Sequence, residues 1–232
     1  PYTTLFRSRG RQKRFVVVLG FTAILLAGAF FFVRINPACR QNLAVHHAQY
    51  QELAEALSEG KVSVGDAEEA LLAMKNPYDT IALQAAGIGY RADYAYHNGK
   101  YYVYFGIVPV LLLYLPYYLL TGGALQNYVA VFVFFAGFII AAAGFVYELM
   151  KRYFKEQPFY LWAVGTGMLV GSYSMFYLLI RPDLYHVPIV ASAMFATGGL
   201  WLYLAGLNRP KKAVGLYAFG SFCMALTAGC RP

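Results

Sequence analysis

The sequence predicts an all-α membrane protein, with several transmembrane helices and one large extracytoplasmic loop that carries amphipathic or re-entrant helices. Of the 232 residues, 59% are hydrophobic and only 13% are charged, whereas a soluble domain carries about a quarter charged residues. The apolar residues lie in blocks, several of them near the roughly 20 residues needed to span a bilayer. A long polar region separates the first block from the others, and it holds eight of the eleven acidic residues.

The charge distribution indicates which partners to expect. The formal net charge is +8, but the bases cluster at the ends of apolar blocks. This is typical of the positive-inside pattern of membrane proteins and argues against a DNA-binding face. We therefore expect membrane lipids, and no nucleic acid, as partners. The three cysteines have no CxxC spacing, the four histidines have no ligand spacing, and no phosphate-binding glycine loop is present. We expect no metal and no cofactor.

The N-terminal region predicts a first transmembrane helix. Residues 1–8, PYTTLFRS, resemble the frame translation of a sequencing adapter, and we expect them to be an artefact. The basic residues in 9–14 then precede an apolar block, 15–33, which predicts a helix whose N-terminus is cytoplasmic. A cleaved signal peptide is the alternative, but residues 30–34 lack the small side chains of a cleavage site. We also expect the chain to be the N-terminal fragment of a longer protein and to be inactive alone.

Residues 34–127 form the predicted extracytoplasmic loop. Its first part, 41–57, has apolar residues at helical spacing and predicts an amphipathic helix that ends at Gly60. A second short helix is predicted over 66–74, with Asp66 as its N-cap. The Asn-Pro pair at 76–77 would then break it.

Five further apolar blocks follow the polar region. If all five span the membrane, the basic clusters around 151–155 and 209–212 fall outside, against the positive-inside rule. The block at 106–120 has only about 15 residues and two prolines, which favours a re-entrant or interfacial segment. The preferred topology therefore has a helix bundle over 128–232. Its predicted spans are 128–147, 159–180, 187–207 and Ala213–Cys230.

Two acids are the candidate catalytic residues. Asp93 lies among tyrosines near the predicted membrane surface, where a lone carboxylate can act as a general base. The alternative is that Asp93 pairs with Arg91 or Lys100 and only shapes the loop. Asp79 follows Asn76-Pro77-Tyr78 and is the second candidate, although these residue types are also typical of an ordinary turn.

The candidate substrate-binding residues are aromatic or basic. Eight tyrosines between 94 and 118 predict an interfacial aromatic belt, and one or two of them could instead stack on a sugar. Two arginines at predicted helix ends could contact a lipid phosphate, or could simply be solvated. The predicted binding residues are Arg91, Lys100, Tyr101, Tyr102, Arg181 and Arg231.

The loop also carries a composite motif. It reads Asn76-Pro77-Tyr78-Asp79, Arg91, Asp93, then HNGKYYVYFG over 97–106, Pro109 and Leu120-Thr121-Gly122. This resembles an NPYD…R…D…YYNGKYYxYFGxxP…LTG pattern of bacterial membrane proteins similar to GT-C-type glycosyltransferases. His97 stands where that pattern often has tyrosine. The final Cys230-Arg231-Pro232 resembles the basic-residue-plus-proline break that such proteins carry later in the membrane domain.

The resemblance implies an activity and a location. It implies sugar transfer from a polyprenyl-phosphate donor, with inversion, at the outer face of the bacterial plasma membrane. A carboxylate of the first external loop would deprotonate or orient the acceptor, and Asp93 matches that position best, with Asp79 second. The alternative is a non-catalytic membrane protein, such as a transporter, a flippase component or an assembly factor. After Tyr128 the spans hold almost no ionisable residue except Glu148 at an end, which argues against ion-coupled transport.

Overall fold

The computed structural model describes residues 2–39, 48–67, 69–89, 91, 93–172 and 175–231. The protein is mostly helical and divides into two compact units. The first, here called the helical unit, comprises Pro1–Asn42 and Asn127–Arg231. The second, the loop unit, comprises Leu43–Gln126.

Ten α-helices and two strands make up the described secondary structure, with short 3₁₀ turns at Pro37–Cys39 and Pro210–Lys212. The strands are β1 (Ala95–His97) and β2 (Lys100–Tyr102), and a π-helical stretch, Val110–Tyr114, leads into α5. The helices are α1 (Tyr2–Ile35), α2 (Gln49–Ser58), α3 (Glu69–Leu72), α4 (Thr80–Ala86), α5 (Leu115–Thr121), α6 (Asn127–Tyr153), α7 (Tyr160–Ser172), α8 (Met175–Ile180), α9 (His186–Asn208) and α10 (Ala213–Cys230).

Four helices in the described part of the chain are long and apolar enough to cross a membrane. They cover Val16–Ile35, Asn127–Tyr153, His186–Asn208 and Pro210–Cys230. Each corresponds to an apolar block predicted from the sequence, which confirms the multi-pass helical class. These helices have mean hydropathies between 1.5 and 2.7, so a bilayer is the environment that suits their exposed faces.

Two apolar segments are shorter. Val110–Thr121 is helical for about 18 Å at 1.5 Å per residue, less than the roughly 30 Å of a hydrocarbon core. The prediction that 106–120 is re-entrant therefore stays open, but the segment is too short to span as a helix. The block predicted as one span, 159–180, contains α7 and α8, and residues 173 and 174 lie outside the described residues.

Glycines let the long helices of the helical unit approach closely. Gly144 of α6 lies against the Trp201 indole of α9, so an added Cβ would overlap that ring. A Cβ on Gly199 of α9 would lie 3.0 Å from the Gly220 carbonyl oxygen of α10. Small residues at contact points are the usual means of packing helices in a membrane, where no hydrophobic effect drives them together.

The helices α1 and α6 run antiparallel. Phe30, near the end of α1, contacts Phe132, near the start of α6, with ring centroids 5.9 Å apart. Phe21, nearer the start of α1, packs against Trp162 of α7 at 5.5 Å. The Trp162 indole N–H in turn donates to the Ala143 carbonyl in the second half of α6 (3.0 Å). The chain therefore leaves the helical unit and re-enters it at the same end of the bundle.

One end of the helical unit, here called the basic end, is where α6 and α9 finish, and it carries Lys151, Arg152, Arg209, Lys211 and Lys212. There Arg152 donates from Nη1 to the Leu207 carbonyl (3.1 Å). At the opposite end the buried Asn36 amide, just after α1, donates to the Leu179 and Ile180 carbonyls (2.9 and 3.1 Å). Those carbonyls lie at the end of α8 and lack intrahelical donors, so Asn36 caps α8 from α1.

The loop unit contains a β-hairpin, so the all-α prediction is wrong in this region. Strands β1 and β2 pair antiparallel, with His97 opposite Lys100. The turn residues Asn98 and Gly99 have φ of 48° and 77°, the left-handed conformation of a two-residue hairpin turn. The Asn-Gly dipeptide is a strong signal for a hairpin turn. In the sequence-based prediction this dipeptide belongs only to the loop motif, and no hairpin is predicted there.

The predicted helix over 66–74 is also corrected. Helix α3 covers only Glu69–Leu72, and Asp66 forms a β-bridge with Lys100 instead of an N-cap. The chain before α3 follows β2, because Val64 N–H donates to the Tyr101 carbonyl and Tyr101 N–H donates to the Gly65 carbonyl (2.9 Å each). Pairing with the hairpin thus outweighs the local capping preference. Helix α2 matches the second part of the predicted 41–57 helix, and residues 41–47 lie outside the described residues.

Candidate functional site

A cavity of about 110 Å³ in the loop unit, here called the tyrosine cavity, gathers several predicted site residues. Two of its lining residues, Leu71 and Tyr101, belong to a buried apolar cluster that also contains Leu83. Of the predicted site residues, Asp93, Arg91 and Tyr101 line this cavity, whereas Asp79, Lys100 and Tyr102 do not. The lining residues are Leu71, Pro77, Tyr78, Thr80, Arg91, Asp93, Tyr94, Tyr96 and Tyr101.

Asp93 is held in an unusual backbone conformation. Its φ is 62°, a left-handed value that costs a non-glycine residue about 1 kcal/mol or more. The half-buried carboxylate has the Tyr104 hydroxyl 3.5 Å from Oδ1. Partial burial, and then the negative charge of Asp93, raise the pKa of Tyr104. The phenol therefore stays protonated and can donate to the carboxylate.

Arg91 forms its ion pair with Glu52 of α2. Nη2 contacts the Glu52 carboxylate and also donates to the Tyr94 hydroxyl (2.9 Å), while Nη1 donates to the Val64 carbonyl (3.0 Å). Its guanidinium lies 4.1 Å from the Tyr94 ring centroid. Arg91 thus pairs with the Glu52 carboxylate. The sequence-based prediction names Asp93, and not Glu52, as a possible partner of Arg91. Side chains from two segments fix the guanidinium where it lines the cavity.

Glu52 belongs to the site although it was not among the predicted site residues. It also accepts a hydrogen bond from the Tyr94 hydroxyl (2.6 Å). Burial raises the pKa of Tyr94 well above its ordinary value, and the carboxylate of Glu52 adds to the effect. The only signal for Glu52 was its place as the first acid after the first helix, and 39 residues separate it from Arg91.

Asp79 has a structural role in the loop unit. Its exposed carboxylate caps α4, because Oδ1 accepts from the Ile81 and Ala82 N–H groups (3.1 Å each). Its neighbour Tyr78 does line the cavity, and the Tyr78 hydroxyl accepts from the Tyr96 N–H (2.9 Å). Capping explains why Asp occurs at this position, and a catalytic role for Asp79 stays a prediction.

Lys100 lies in a different cavity. This one has a volume of about 420 Å³ and is mainly acidic. Lys100 and Lys61 are its bases, and its acids are Glu52, Glu55, Glu59 and Asp66. Glu52 therefore lines the acidic cavity while its partner Arg91 lines the tyrosine cavity. Among the residues that the structure describes, no three His, Cys, Asp or Glu side chains are grouped to hold a metal. His46 and His47 lie outside that part of the chain.

The remaining predicted binding residues are placed separately. Tyr102 is half-buried in β2. Arg181 and Arg231 belong to the helical unit, where both are exposed. Arg181 begins the short turn before α9, and Asp183 of that turn lies 3.5 Å from His186, the first residue of α9. Contact of either arginine with a lipid phosphate stays a prediction.

The cavity's chemistry suits a polar ligand with flat apolar faces. The phenol rings of Tyr78, Tyr94 and Tyr96 line the cavity, and Asp93 and Arg91 offer opposite charges. Comparisons with protein-family models, with curated proteins and with solved structures gave no match. The functional argument therefore rests on the residues of this chain.

Proposed function

We propose that the protein is a GT-C-like glycosyltransferase that acts at the outer face of a bacterial plasma membrane. It transfers a sugar from a polyprenyl-phosphate donor to a cell-envelope acceptor. The observation that carries the proposal is the tyrosine cavity, where a carboxylate, a positioned guanidinium and several phenol rings line one small space. Aromatic rings stack on the apolar faces of sugars, and charged groups serve hydroxyl and phosphate oxygens.

Asp93 is the proposed general base. Its carboxylate takes the proton of the acceptor hydroxyl as that oxygen forms a bond to the anomeric carbon. The bond between the anomeric carbon and the donor phosphate oxygen breaks, and polyprenyl phosphate leaves with the bonding electrons. Arg91 stabilises the negative charge that develops on the phosphate. Attack opposite the leaving group inverts the configuration of the sugar.

The proposed topology has the loop unit outside and the basic end in the cytoplasm. The antiparallel α1 and α6 support it, since the chain leaves and re-enters the bundle at the end opposite Arg152. The test replaces the three cysteines with serine and adds Ser58→Cys or Gln157→Cys, both exposed positions. An impermeant maleimide applied to intact cells is expected to label Cys at 58 and not at 157. The opposite pattern would overturn the topology.

The test of catalysis is the Asp93→Asn variant. Each substitution is made in the full-length protein, because we expect the present chain to be inactive alone. Membranes containing each variant receive labelled polyprenyl-phosphate hexoses and pentoses, and released polyprenyl phosphate and transferred sugar are measured. Loss of a general base is expected to slow transfer by about 100-fold or more. The matched control is Glu69→Gln, an exposed acid of the loop unit on α3, which should leave transfer unchanged. Unchanged transfer by Asp93→Asn would remove Asp93 from the mechanism.

The Asp79→Ser variant separates capping from catalysis. Serine is as good an N-cap as aspartate, so α4 should keep its stability while the carboxylate is lost. We expect transfer to survive, because Asp93 is the proposed base. If Asp79→Ser abolishes transfer while Asp93→Asn does not, the base is Asp79.

A further inference from the structure

A second site lies in the helical unit, at its basic end. A cavity of about 180 Å³ opens there, between the part of α1 just before its apolar span, the end of α6 and the start of α7. It is distinct from the tyrosine cavity and belongs to the other unit. Its lining residues are Arg14, Tyr147, Met150, Lys151, Phe154, Lys155, Gln157 and Phe159.

Three cations from different segments face this cavity. Arg14 comes from α1, Lys151 from the last turn of α6, and Lys155 from the connection to α7. Lys151 lies 3.9 Å from Glu148, but that carboxylate already pairs with Arg209. The cavity lining therefore carries an excess of positive charge. Such a lining favours an anion that several donors can reach at once.

The apolar part of the lining is fixed by packing. Phe159 stacks on Trp162, with ring centroids 5.9 Å apart and planes 5° apart. Together with Tyr147 and Met150 it packs against the buried cluster that contains Trp162. The Arg14 guanidinium lies 5.4 Å from the Phe159 ring centroid, within range of a cation–π interaction. One of the three cations thus contacts a packed aromatic ring of the cavity lining.

The position along the spans identifies the ligand class. Arg14 lies just before the candidate span Val16–Ile35, and Lys151 lies at the end of Asn127–Tyr153. Bases at that level meet lipid headgroups. Phe154 is 50% exposed and Leu161 37% exposed, so apolar side chains are exposed both at the cavity and at the start of α7. We propose that this cavity binds the phosphate headgroup of an anionic phospholipid, with acyl chains along the neighbouring apolar surface.

The test is native mass spectrometry of the purified full chain in detergent, titrated with phosphatidylglycerol or phosphatidylcholine. We expect tighter binding of phosphatidylglycerol. The double variant Lys151→Gln/Lys155→Gln should bind it about 25-fold more weakly, since each base near a phosphate contributes about a factor of five. The matched control, Lys211→Gln/Lys212→Gln, removes the same charge from the same end without touching the cavity. It should retain wild-type affinity.

Two more measurements, together with the comparisons above, make the result specific to the cavity and to the lipid. Lys151→Arg/Lys155→Arg keeps the charge and should keep the binding, which excludes a folding defect as the cause. If Lys151→Gln/Lys155→Gln and Lys211→Gln/Lys212→Gln lose the same affinity for phosphatidylglycerol, the lipid responds only to the general surface charge. That result would overturn the site. Equal affinity for phosphatidylcholine would overturn the requirement for net negative charge. Inorganic phosphate at equal affinity would overturn the lipid as the source of the phosphate.

Discussion

Two arginine–carboxylate pairs, one in each unit of the described chain, differ in their surroundings. In the helical unit, Glu148 is 2% exposed and pairs with Arg209, while Asn208 donates to its Oε2 (2.7 Å). In the loop unit, the side chains of Glu52 and Arg91 are 32% and 33% exposed. The first pair joins α6 to the end of α9. The second joins α2 to the segment before β1 and lines two cavities.

The difference distinguishes a charged pair that holds two helices together from one that can still contact a ligand. The oxygens of Glu148 are occupied by groups of the adjacent helix end, so the pair fastens α6 to α9 at the basic end. The Glu52–Arg91 pair positions a guanidinium that still lines a water-accessible space. Buried polar networks stabilise a packing arrangement, whereas a half-exposed network can also bind a ligand. The loop unit is therefore where we place the proposed chemistry.

The largest expected effect is on the helical unit. Gly144→Leu places a side chain in the space of the Trp201 ring, and overpacking of this kind should destabilise the unit by about 3 kcal/mol. The matched control is Gly167→Leu in α7, because a Cβ at Gly167 meets nothing within 4 Å. Thermal unfolding in detergent, followed by circular dichroism, measures both. Equal stability of the two variants would contradict the close α6–α9 packing.

The next effect tests the buried pair. Glu148→Gln leaves Arg209 without its countercharge, and we expect a loss of about 2 kcal/mol, reduced from the fully buried case because Arg209 is 41% exposed. Glu156→Gln changes an exposed acid of the same region and should be neutral. The comparison uses the same thermal unfolding measurement. A neutral Glu148→Gln would mean that the pair does not fasten α6 to α9.

The half-exposed pair should contribute less to stability and more to activity. Glu52→Gln is expected to cost about 1 kcal/mol and, as a change in a residue that positions Arg91, to lower kcat more than it raises KM. Its control is Glu59→Gln. Glu59 pairs with Lys61 on the surface, where both side chains are more than half exposed, so this change should alter neither stability nor transfer. Loss of stability without any change in kcat would make the Glu52–Arg91 pair purely structural.

The smallest effect is a pH dependence in the loop unit. Because the pKa of Tyr94 is raised in the folded protein, its stabilisation is complete below the ordinary tyrosine pKa of about 10 and declines as pH rises above it. Tyr94→Phe lacks this titration. The gap in stability between wild type and variant should therefore narrow by about 0.5 kcal/mol from pH 9 to pH 11. A gap that stays constant would contradict the raised pKa.

The sequence predicted the apolar helices well and the loop unit poorly. Blocks of apolar residues such as 128–147 specify a membrane helix by composition alone, and α6 covers that block. The sequence prediction contains no hairpin at Ala95–Tyr102, although Asn98-Gly99 carries the turn signal. The tyrosines on either side of that turn predict an aromatic belt instead. The prediction of Asp66 as an N-cap is wrong because Asp66 instead forms a β-bridge with Lys100 of the hairpin. A local capping preference does not include that neighbouring strand.

By itself, the sequence determined the membrane class, the positions of four long apolar helices and the clustering of bases at their ends. These properties depend on the composition of single segments, and transfer into a bilayer acts on each segment separately. Only the tertiary structure decided that Glu52 is a partner of Arg91, that Asp93 lines a cavity with Tyr78 and Tyr96, and that three bases line one cavity with Phe159. Those contacts join residues far apart in the chain, and packing, which no local pattern encodes, selects them.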